Sequence, residues 1–268
     1  MSPVDYRNQT TLLTGASAGI GVEFAHQLAA RGSNLVLVAR RAERLEKLAA
    51  ELEATHGIRA AACPADLSLP GAGTAVAQQV RSKEWRPTSL INCAGFGTFG
   101  PFHTEDPQRL TAELGVDIGA VVDLTRAFIG DLRAAGRGVL INVASMAAYQ
   151  ATPNMAVYGA AKAFVLSFTE ALWQESLGTG LRVLALSPGA TDTEFFDVIG
   201  TADAAGGTRP RSPREVVDTA LRTLDRRNPP PSIAVGRLNR AALIGQRVVT
   251  RRRTILTLAA MTTSGATN

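Results

Sequence analysis

The sequence predicts an α/β fold built on a single doubly wound parallel sheet of about seven strands, with helices on both faces. Short apolar runs rich in β-branched residues alternate with longer segments whose apolar residues recur at helical spacing. This alternation is typical of right-handed βαβ units. The chain has 268 residues, of which 46% are hydrophobic and 19% charged, so it is long enough to bury one large core.

The elements follow one another in a regular order along the chain. Strands are predicted near residues 10–14, 34–39, 59–63, 88–93, 138–144, 181–187 and 231–235. Helices are predicted between them, at 20–31, 41–56, 71–84, 107–134, 156–178 and 213–226. Ligands bind such sheets at the carboxyl ends of the strands. The segments that follow the strands are therefore the candidate functional segments.

The first strand is followed by a glycine-rich turn, Thr14-Gly-Ala-Ser-Ala-Gly-Ile-Gly21. Glycines allow a tight turn, and they let backbone N–H groups approach a phosphate at the start of the next helix. A glycine-rich turn alone is a weak signal. The strand before it and the helix after it favour a phosphate-binding loop.

Tyr158 and Lys162 are spaced to lie on one face of a helix, with Cβ atoms about 5–6 Å apart. A phenol has a pKa of about 10, and a neighbouring ammonium lowers that pKa by favouring the phenolate. Ser145 ends the strand at 138–144, where its hydroxyl can donate to a substrate oxygen. A Tyr and a Lys at this spacing are often only the edge of an amphipathic helix. In this context they indicate an acid/base pair for a carbonyl or alcohol.

These motifs, in this order, resemble those of the short-chain dehydrogenase/reductase family over most of the chain. The resemblance implies a Rossmann-type sheet that binds a nicotinamide dinucleotide, with Ser145, Tyr158 and Lys162 as the catalytic residues. The expected cofactor-binding residues are Gly15, Ser17, Gly19, Ile20, Gly21, Arg40, Arg41, Asp66, Leu67, Asn92, Ala94, Gly95, Tyr158, Lys162, Pro188, Gly189, Thr191 and Thr193.

The end of the second strand indicates which cofactor is bound. An acidic residue there would accept hydrogen bonds from a free ribose 2′-hydroxyl, but the chain has Ala39 followed by Arg40 and Arg41. Guanidinium groups bind a 2′-phosphate through charge-assisted hydrogen bonds, and Ser17 can add a hydroxyl. NADP is therefore favoured over NAD. The alternative is that both arginines merely begin a charged helix.

One position departs from the family pattern. Family members carry an asparagine in the long helix after the fourth strand, where it helps to hold a water that links the lysine to solvent. The ungapped match here is Glu113-Leu-Gly115-Val116, which puts Gly115 at that position. Asp117 is expected to point to a different face of the helix. The proton relay is therefore in question.

The expected function is NADP-dependent interconversion of a carbonyl compound, a hydrophobic ketone or aldehyde, and its alcohol. Tyr158 is the proton donor or acceptor in this scheme. The alternative is a non-catalytic or impaired NADP-binding regulatory or scaffold protein of the same fold. Gly115 is the feature that favours this alternative, and the intact Ser145, Tyr158 and Lys162 oppose it.

Charge divides the chain into an expected catalytic domain at 1–236 and a basic C-terminal extension at 237–268. Twelve arginines and three acidic residues lie between 209 and 253, although the net charge of the whole chain is only +5. The segment 237–261 mixes apolar residues with arginines. It suits a helix on an anionic membrane surface, a cap over the substrate cleft, an oligomer contact, or a solvated arginine-rich helix packed on its own domain. The membrane role is not favoured, and a homo-oligomer is expected.

Several other classes of function find no support. The basic cluster lacks a nucleic-acid-binding motif and interleaved aromatic residues. Cys63 and Cys93 make no disulfide framework, and the three histidines are scattered without the spacing of metal ligands. The apolar run at 255–261 is too short to span a bilayer. The chain starts without an apolar signal segment, so a cytoplasmic location is expected.

Overall fold

A computed structural model describes residues 3–201, 208–246 and 249–263. Seven strands form one parallel sheet in the order β3-β2-β1-β4-β5-β6-β7. Their bounds are β1 Thr10–Thr14, β2 Asn34–Ala39, β3 Ala60–Pro64, β4 Ser89–Asn92, β5 Val139–Val143, β6 Arg182–Ser187 and β7 Ser232–Ala234. The predicted fold class and strand number are confirmed.

Helices follow the strands as predicted, with two differences. Their bounds are α1 Gly19–Ala29, α2 Ala42–His56, α3 Ala72–Ser82, α4 Pro107–Leu114, α5 Ala120–Ala135, α6 Ala156–Glu175, α7 Phe195–Ile199, α8 Pro213–Leu224, α9 Arg237–Gln246 and α10 Arg251–Thr263. The helix predicted at 107–134 is present over Pro107–Ala135, but a π-helical turn at Gly115–Gly119 interrupts its regular pitch between α4 and α5. The short α7 lies where no helix was predicted.

The basic segment after Gly236 forms α9 and α10, and its residues 247, 248 and 264–268 lie outside the described residues. Ser212 caps the start of α8, since its hydroxyl accepts a hydrogen bond from Glu215 N at 3.3 Å. No helix in the described part of the chain is long and apolar enough to cross a bilayer.

Helices cover both faces of the sheet. Successive strand residues point to opposite faces, so both sets of side chains are buried. Leu13, Leu35 and Leu37 belong to the core under α1, α2 and α8. Leu12 and Val38 belong to the core under α3 and α5. This doubly covered sheet explains why the strands read as continuous apolar runs in the sequence.

The order of the strands reverses between β1 and β4, which pair directly at Leu13 and Ile91. The chain leaves β1 toward one face of the sheet and leaves β4 toward the other. A crevice therefore opens at the carboxyl ends of these two strands, where a ligand can be bound.

Candidate active site

The glycine-rich turn joins β1 to α1 at this crevice and packs against the segment after β4. A Cβ atom on Gly15 would lie 2.9 Å from the backbone N and Cα of Ala94. Thr14 Oγ1 accepts hydrogen bonds from Cys93 N and Ala94 N, both at 3.0 Å. No side chain caps the start of α1. Its first N–H groups, which include those of Gly19, Ile20 and Gly21, therefore point toward the crevice without a side-chain partner.

The basic end of β2 faces the same turn. Arg41 donates from Nε and Nη2 to Ser17 Oγ at 3.2 and 3.1 Å. Arg44, one helical turn further along α2, donates from Nη1 to Ser17 O at 3.5 Å. Arg40 is exposed at the end of β2. Arg44 was not predicted as a site residue, although its spacing of three from Arg41 puts both on one helix face.

Two further predicted residues follow β3. Asp66 Oδ1 accepts hydrogen bonds from Ser68 N at 3.0 Å and Ser68 Oγ at 2.7 Å, and these bonds lower the pKa of the Asp66 carboxyl. Leu67 is buried beside this turn. The two residues border the crevice on the side of β3.

Asn92 ends β4, and its side chain points into the sheet. Asn92 Nδ2 donates to Asn142 Oδ1 at 2.8 Å and to Thr125 Oγ1 at 3.1 Å. The side chain therefore ties β4 to β5 and α5. This anchoring fixes the path of Ala94 and Gly95 at the mouth of the crevice.

The three predicted catalytic residues meet at the carboxyl ends of β4 and β5. Ser145 follows β5 in extended conformation, and its hydroxyl accepts a hydrogen bond from Ala147 N at 3.1 Å. Tyr158 and Lys162 are both buried on one face of α6. Lys162 Nζ lies 5.6 Å from the centroid of the Tyr158 ring.

The structure overturns the prediction for Gly115 and Asp117. Lys162 Nζ lies 3.3 Å from Asp117 Oδ2 and also donates to Val143 O at 3.3 Å. Asp117 Oδ1 accepts a hydrogen bond from Phe96 N at 3.3 Å. Asp117, rather than Gly115, therefore faces the lysine.

The reason is the π-helical turn at Gly115–Gly119, in which Ala120 N bonds to Gly115 O. This turn holds one residue more than an α-helical turn, so side-chain directions deduced from regular α-helical spacing do not apply there. Gly115 instead lies against the turn that follows β3, since a Cβ atom on Gly115 would lie 2.5 Å from Ser68 O. Its small size serves packing.

Burial and charge act in opposite directions on the catalytic pair. Burial raises the pKa of Tyr158, while Lys162 and a hydrogen bond with Ser145 lower it in part. Burial also disfavours the ammonium of Lys162, but Asp117 and Tyr158 outweigh this and raise the pKa of Lys162. Lys162 therefore stays positively charged and favours the Tyr158 phenolate, but the net pKa of Tyr158 lies above its usual value rather than below it as the sequence predicted, because burial outweighs the lysine.

Glu113 is a second buried acid near this centre and was not predicted as a functional residue. It lies on α4, one helical turn before Asp117, and is fully buried. The pKa of Glu113 is raised to about 7, because burial and the charge of Asp117 together outweigh the opposing hydrogen bonds of the neighbouring Thr98. An acidic residue on the apolar face of the predicted helix was the available signal.

The segment after β6 closes the other side of the crevice. Met146 N donates to Pro188 O at 2.8 Å, and a Cβ atom on Gly189 would lie 2.8 Å from Asn239 Nδ2 of α9. Thr191 is buried and pairs with Arg211 in an isolated bridge. The Thr193 methyl group contacts Gly19 closely enough that a Cβ atom on that glycine would lie 2.6 Å from it.

An apolar wall stands beside Tyr158. The Phe195 ring lies 5.4 Å from the Tyr158 ring, measured between centroids, and Phe196 packs edge-on against Phe195. Met155, Ile199 and Phe99 complete this cluster. Tertiary folding of these separate segments is what brings Met155 and Ile199 to Tyr158.

Known proteins share both this sequence pattern and this geometry. The family described as short chain dehydrogenase matches residues 9–203. A 7beta-hydroxysteroid dehydrogenase of Collinsella aerofaciens is 31% identical over 220 residues, which cover 80% of this chain and 81% of that protein. A sulfoacetaldehyde reductase of Chromohalobacter salexigens is 36% identical over 197 residues, which cover 72% of this chain and 76% of that protein.

Solved structures agree with these sequence matches. A structure from work on 7beta-hydroxysteroid dehydrogenase stereoselectivity has a TM-score of 0.84 at 28% identity and covers 97% of this chain and 100% of that one. A short-chain dehydrogenase from Sphingobium yanoikuyae in complex with NADPH has a TM-score of 0.78 at 33% identity, with coverages of 89% and 93%. The chain therefore belongs to the short-chain dehydrogenase/reductase family.

Proposed function

We propose that this protein is an NADP-dependent reductase of a hydrophobic carbonyl compound, and that it also catalyses the reverse oxidation. The observation that carries the proposal is the meeting of Ser145, Tyr158 and Lys162 in one buried cluster beside the glycine-rich turn. An acid/base group thereby stands next to a crevice suited to a dinucleotide.

The residues present fit this cofactor. Gly15 leaves room where a Cβ atom would collide with the next loop, and the uncapped start of α1 offers N–H groups to a pyrophosphate. Arg41 and Arg44 already hold a carboxylate, that of Glu194, at the end of β2, and Arg41 also bonds to Ser17 Oγ. A 2′-phosphate makes the same kind of charge-assisted hydrogen bonds. The NADPH bound to the Sphingobium yanoikuyae relative supports this choice.

When bound in this crevice, the nicotinamide of NADPH would supply a hydride to the carbonyl carbon. Ser145 hydrogen-bonds the carbonyl oxygen, and Tyr158 transfers its proton to that oxygen as negative charge develops there. Lys162 stabilises the resulting phenolate, because its ammonium is held beside the ring by Asp117 and Val143 O. Asp117 keeps this ammonium charged in a buried place.

The substrate contacts support a hydrophobic ketone or aldehyde. The surface beside Tyr158 consists of Phe99, Met155, Phe195 and Ile199, so its polar groups are chiefly the catalytic ones. Of the two relatives named above, the 7beta-hydroxysteroid dehydrogenase supports an apolar substrate better than the sulfoacetaldehyde reductase does, since a steroid is the more apolar compound. We therefore place bulky apolar ketones first among the compounds to test.

The proposal is tested by NADPH oxidation with a panel of aldehydes, ketones and quinones. Tyr158→Phe is expected to lower turnover by a factor of roughly 10²–10⁴, which is the usual contribution of a general acid. NADPH binding should be nearly unchanged, since only the hydroxyl is lost. The matched control is Tyr149→Phe, because Tyr149 is a nearby tyrosine whose hydroxyl bonds to Ser187 Oγ at 3.3 Å. Turnover by Tyr158→Phe at the rate of this control would contradict the proposed role.

The regulatory or scaffold alternative loses its main support. It depended on Gly115 at the position of the family's asparagine, whereas the structure places Asp117 beside Lys162. The catalytic cluster is complete around that ion pair. We therefore retain the enzymatic function alone.

We further propose that residues up to 236 form the catalytic unit and that α9 and α10 serve as a cap and homo-oligomer contact. Leu238, Ile244 and Leu256 are exposed apolar residues on these two helices, and such surfaces are often covered by a partner. Asn239 of α9 approaches Gly189, so the extension also reaches the rim of the crevice. Solution mass of the chain and of Leu238→Glu tests the oligomer; equal monomeric masses would contradict it.

A further inference from the structure

The Glu194 carboxylate lies between two arginines. Arg41 directly precedes α2, and Arg44 lies in its first turn. Glu194 Oε2 lies 2.6 Å from Arg41 Nη1, and Glu194 Oε1 lies 2.7 Å from Arg44 Nη1. Hydrogen bonds from the two guanidinium groups lower the pKa of Glu194. The residue therefore carries its full charge at neutral pH.

The place that this carboxylate occupies is defined by more than the two arginines. Arg41 also donates to Ser17 Oγ at 3.1 and 3.2 Å. Two guanidinium groups thus converge on one anion at the end of β2, with the Ser17 hydroxyl bonded to one of them, where the ribose phosphate of the proposed cofactor would be bound. Carboxylate and phosphate oxygens compete for the same guanidinium N–H groups, and two anions held there together would repel each other.

The residues on either side of Glu194 connect this anion site to the rest of the crevice. Thr193 contacts Gly19 of the glycine-rich turn. Phe195 begins α7 and packs against the Tyr158 ring at 5.4 Å between centroids. A movement of Glu194 would therefore also move Phe195, which forms part of the wall of the substrate crevice.

We infer that Glu194 is a specificity-determining residue that occupies the phosphate site of this protein and leaves its arginines when the 2′-phosphate of NADP or NADPH binds. This inference rests on the proposed NADP dependence. A cofactor without the phosphate leaves Glu194 in place, with Thr193 and Phe195 in the arrangement described above. The 2′-phosphate thus selects the cofactor and also releases the loop that carries Phe195.

The size of the expected effect follows from the exposure of the ion pairs. The side chains of Arg41, Arg44 and Glu194 are 41–52% exposed, so each pair is screened by solvent. An exposed pair changes an equilibrium by a factor of roughly one to five. Glu194 makes two such pairs. Removing its charge should therefore tighten NADPH binding by roughly three- to tenfold.

The test is titration of NADPH and NADH against the wild-type chain, Glu194→Gln and Asp192→Asn, at low and high salt. Asp192 is the matched control, because it is an exposed acid two residues earlier in the same loop and is not part of these two ion pairs. We expect Glu194→Gln to bind NADPH more tightly, to bind NADH as the wild type does, and to lose its gain at high salt. Asp192→Asn should change neither affinity.

Three results would overturn the role of Glu194. NADPH binding that is unchanged or weaker in Glu194→Gln would show that the carboxylate does not compete with the phosphate. A gain of equal size for NADH, or an equal gain in Asp192→Asn, would reduce the effect to net charge. The proposed cofactor is judged separately by the wild-type chain, which should bind NADPH at least tenfold more tightly than NADH. Equal wild-type affinities would remove that proposal and this inference together.

Discussion

Replacing Asp117 by Asn should destabilise the protein strongly, because it removes the counter-charge of a buried ammonium. Asp117 is fully buried, and the Lys162 side chain is only 6% exposed. At the observed 3.3 Å, the attraction between the two unit charges is about 5 kcal/mol at an effective dielectric constant of about 20. Breaking a buried pair by removing one partner costs roughly 3–5 kcal/mol. The free energy of unfolding should fall by that amount at neutral pH.

The pH dependence of this loss identifies its cause. Without Asp117, burial should depress the pKa of Lys162 below its unfolded value of about 10.4. Between the two pKa values the unfolded chain binds more protons than the folded chain, so the stability of the variant rises with pH. The deficit relative to the wild type should therefore shrink between pH 7 and pH 9.

The assay is urea-induced unfolding of the wild type, Asp117→Asn, Lys162→Met and the double variant at both pH values. Asparagine keeps an oxygen that can accept the hydrogen bond from Phe96 N, so the change removes the charge and the acceptor that faces Lys162 while it keeps the contact with Phe96. The double variant should be more stable than Asp117→Asn, because it leaves no unpaired buried charge. The reasoning is refuted if Asp117→Asn loses less than about 1 kcal/mol at pH 7, or if the deficit is the same at pH 9.

Two more predictions concern the neighbouring elements. The raised pKa of Glu113, about 7, means that the folded chain binds one proton more than the unfolded chain between about pH 4.5 and 7; the free energy of unfolding should fall over that range by up to about 3 kcal/mol. Glu113→Gln should remove this fall in urea titrations at several pH values, and a fall of the same size in the variant would contradict the assignment. Gly115→Ala should cost about 1–3 kcal/mol, because its Cβ atom would lie 2.5 Å from Ser68 O. Gly130→Ala is the matched control on α5, where a Cβ atom meets nothing within 4 Å. This substitution should stabilise the protein by up to about 1 kcal/mol in thermal unfolding. Equal effects at the two glycines would refute the packing argument.

Local pattern was sufficient for the sheet and for most of the candidate site. Helices cover both sides of the sheet, so its central strands are apolar on both faces. The runs at β1, β2 and β6 can therefore be recognised as strands from the local sequence alone. The carboxyl ends of parallel strands share one edge, so residues that follow different strands, such as Gly15 and Ser145, converge whatever their separation in sequence. Tyr158 and Lys162 are four apart on one helix, and regular helical geometry alone brings them together.

The residues that the sequence did not reveal depend on contacts between distant segments. Asp117 reaches Lys162 because the helix takes a π turn at Gly115, and that turn accompanies packing against Ser68. Helical periodicity carries no information about such a change of pitch. Glu194 meets Arg44 across 150 residues of chain, once the loop after β6 has folded over the turn after β1. The sequence by itself therefore determined the fold and the placement of Tyr158 beside Lys162, which follow from local periodicity and burial, and only the tertiary structure decided which charges face one another.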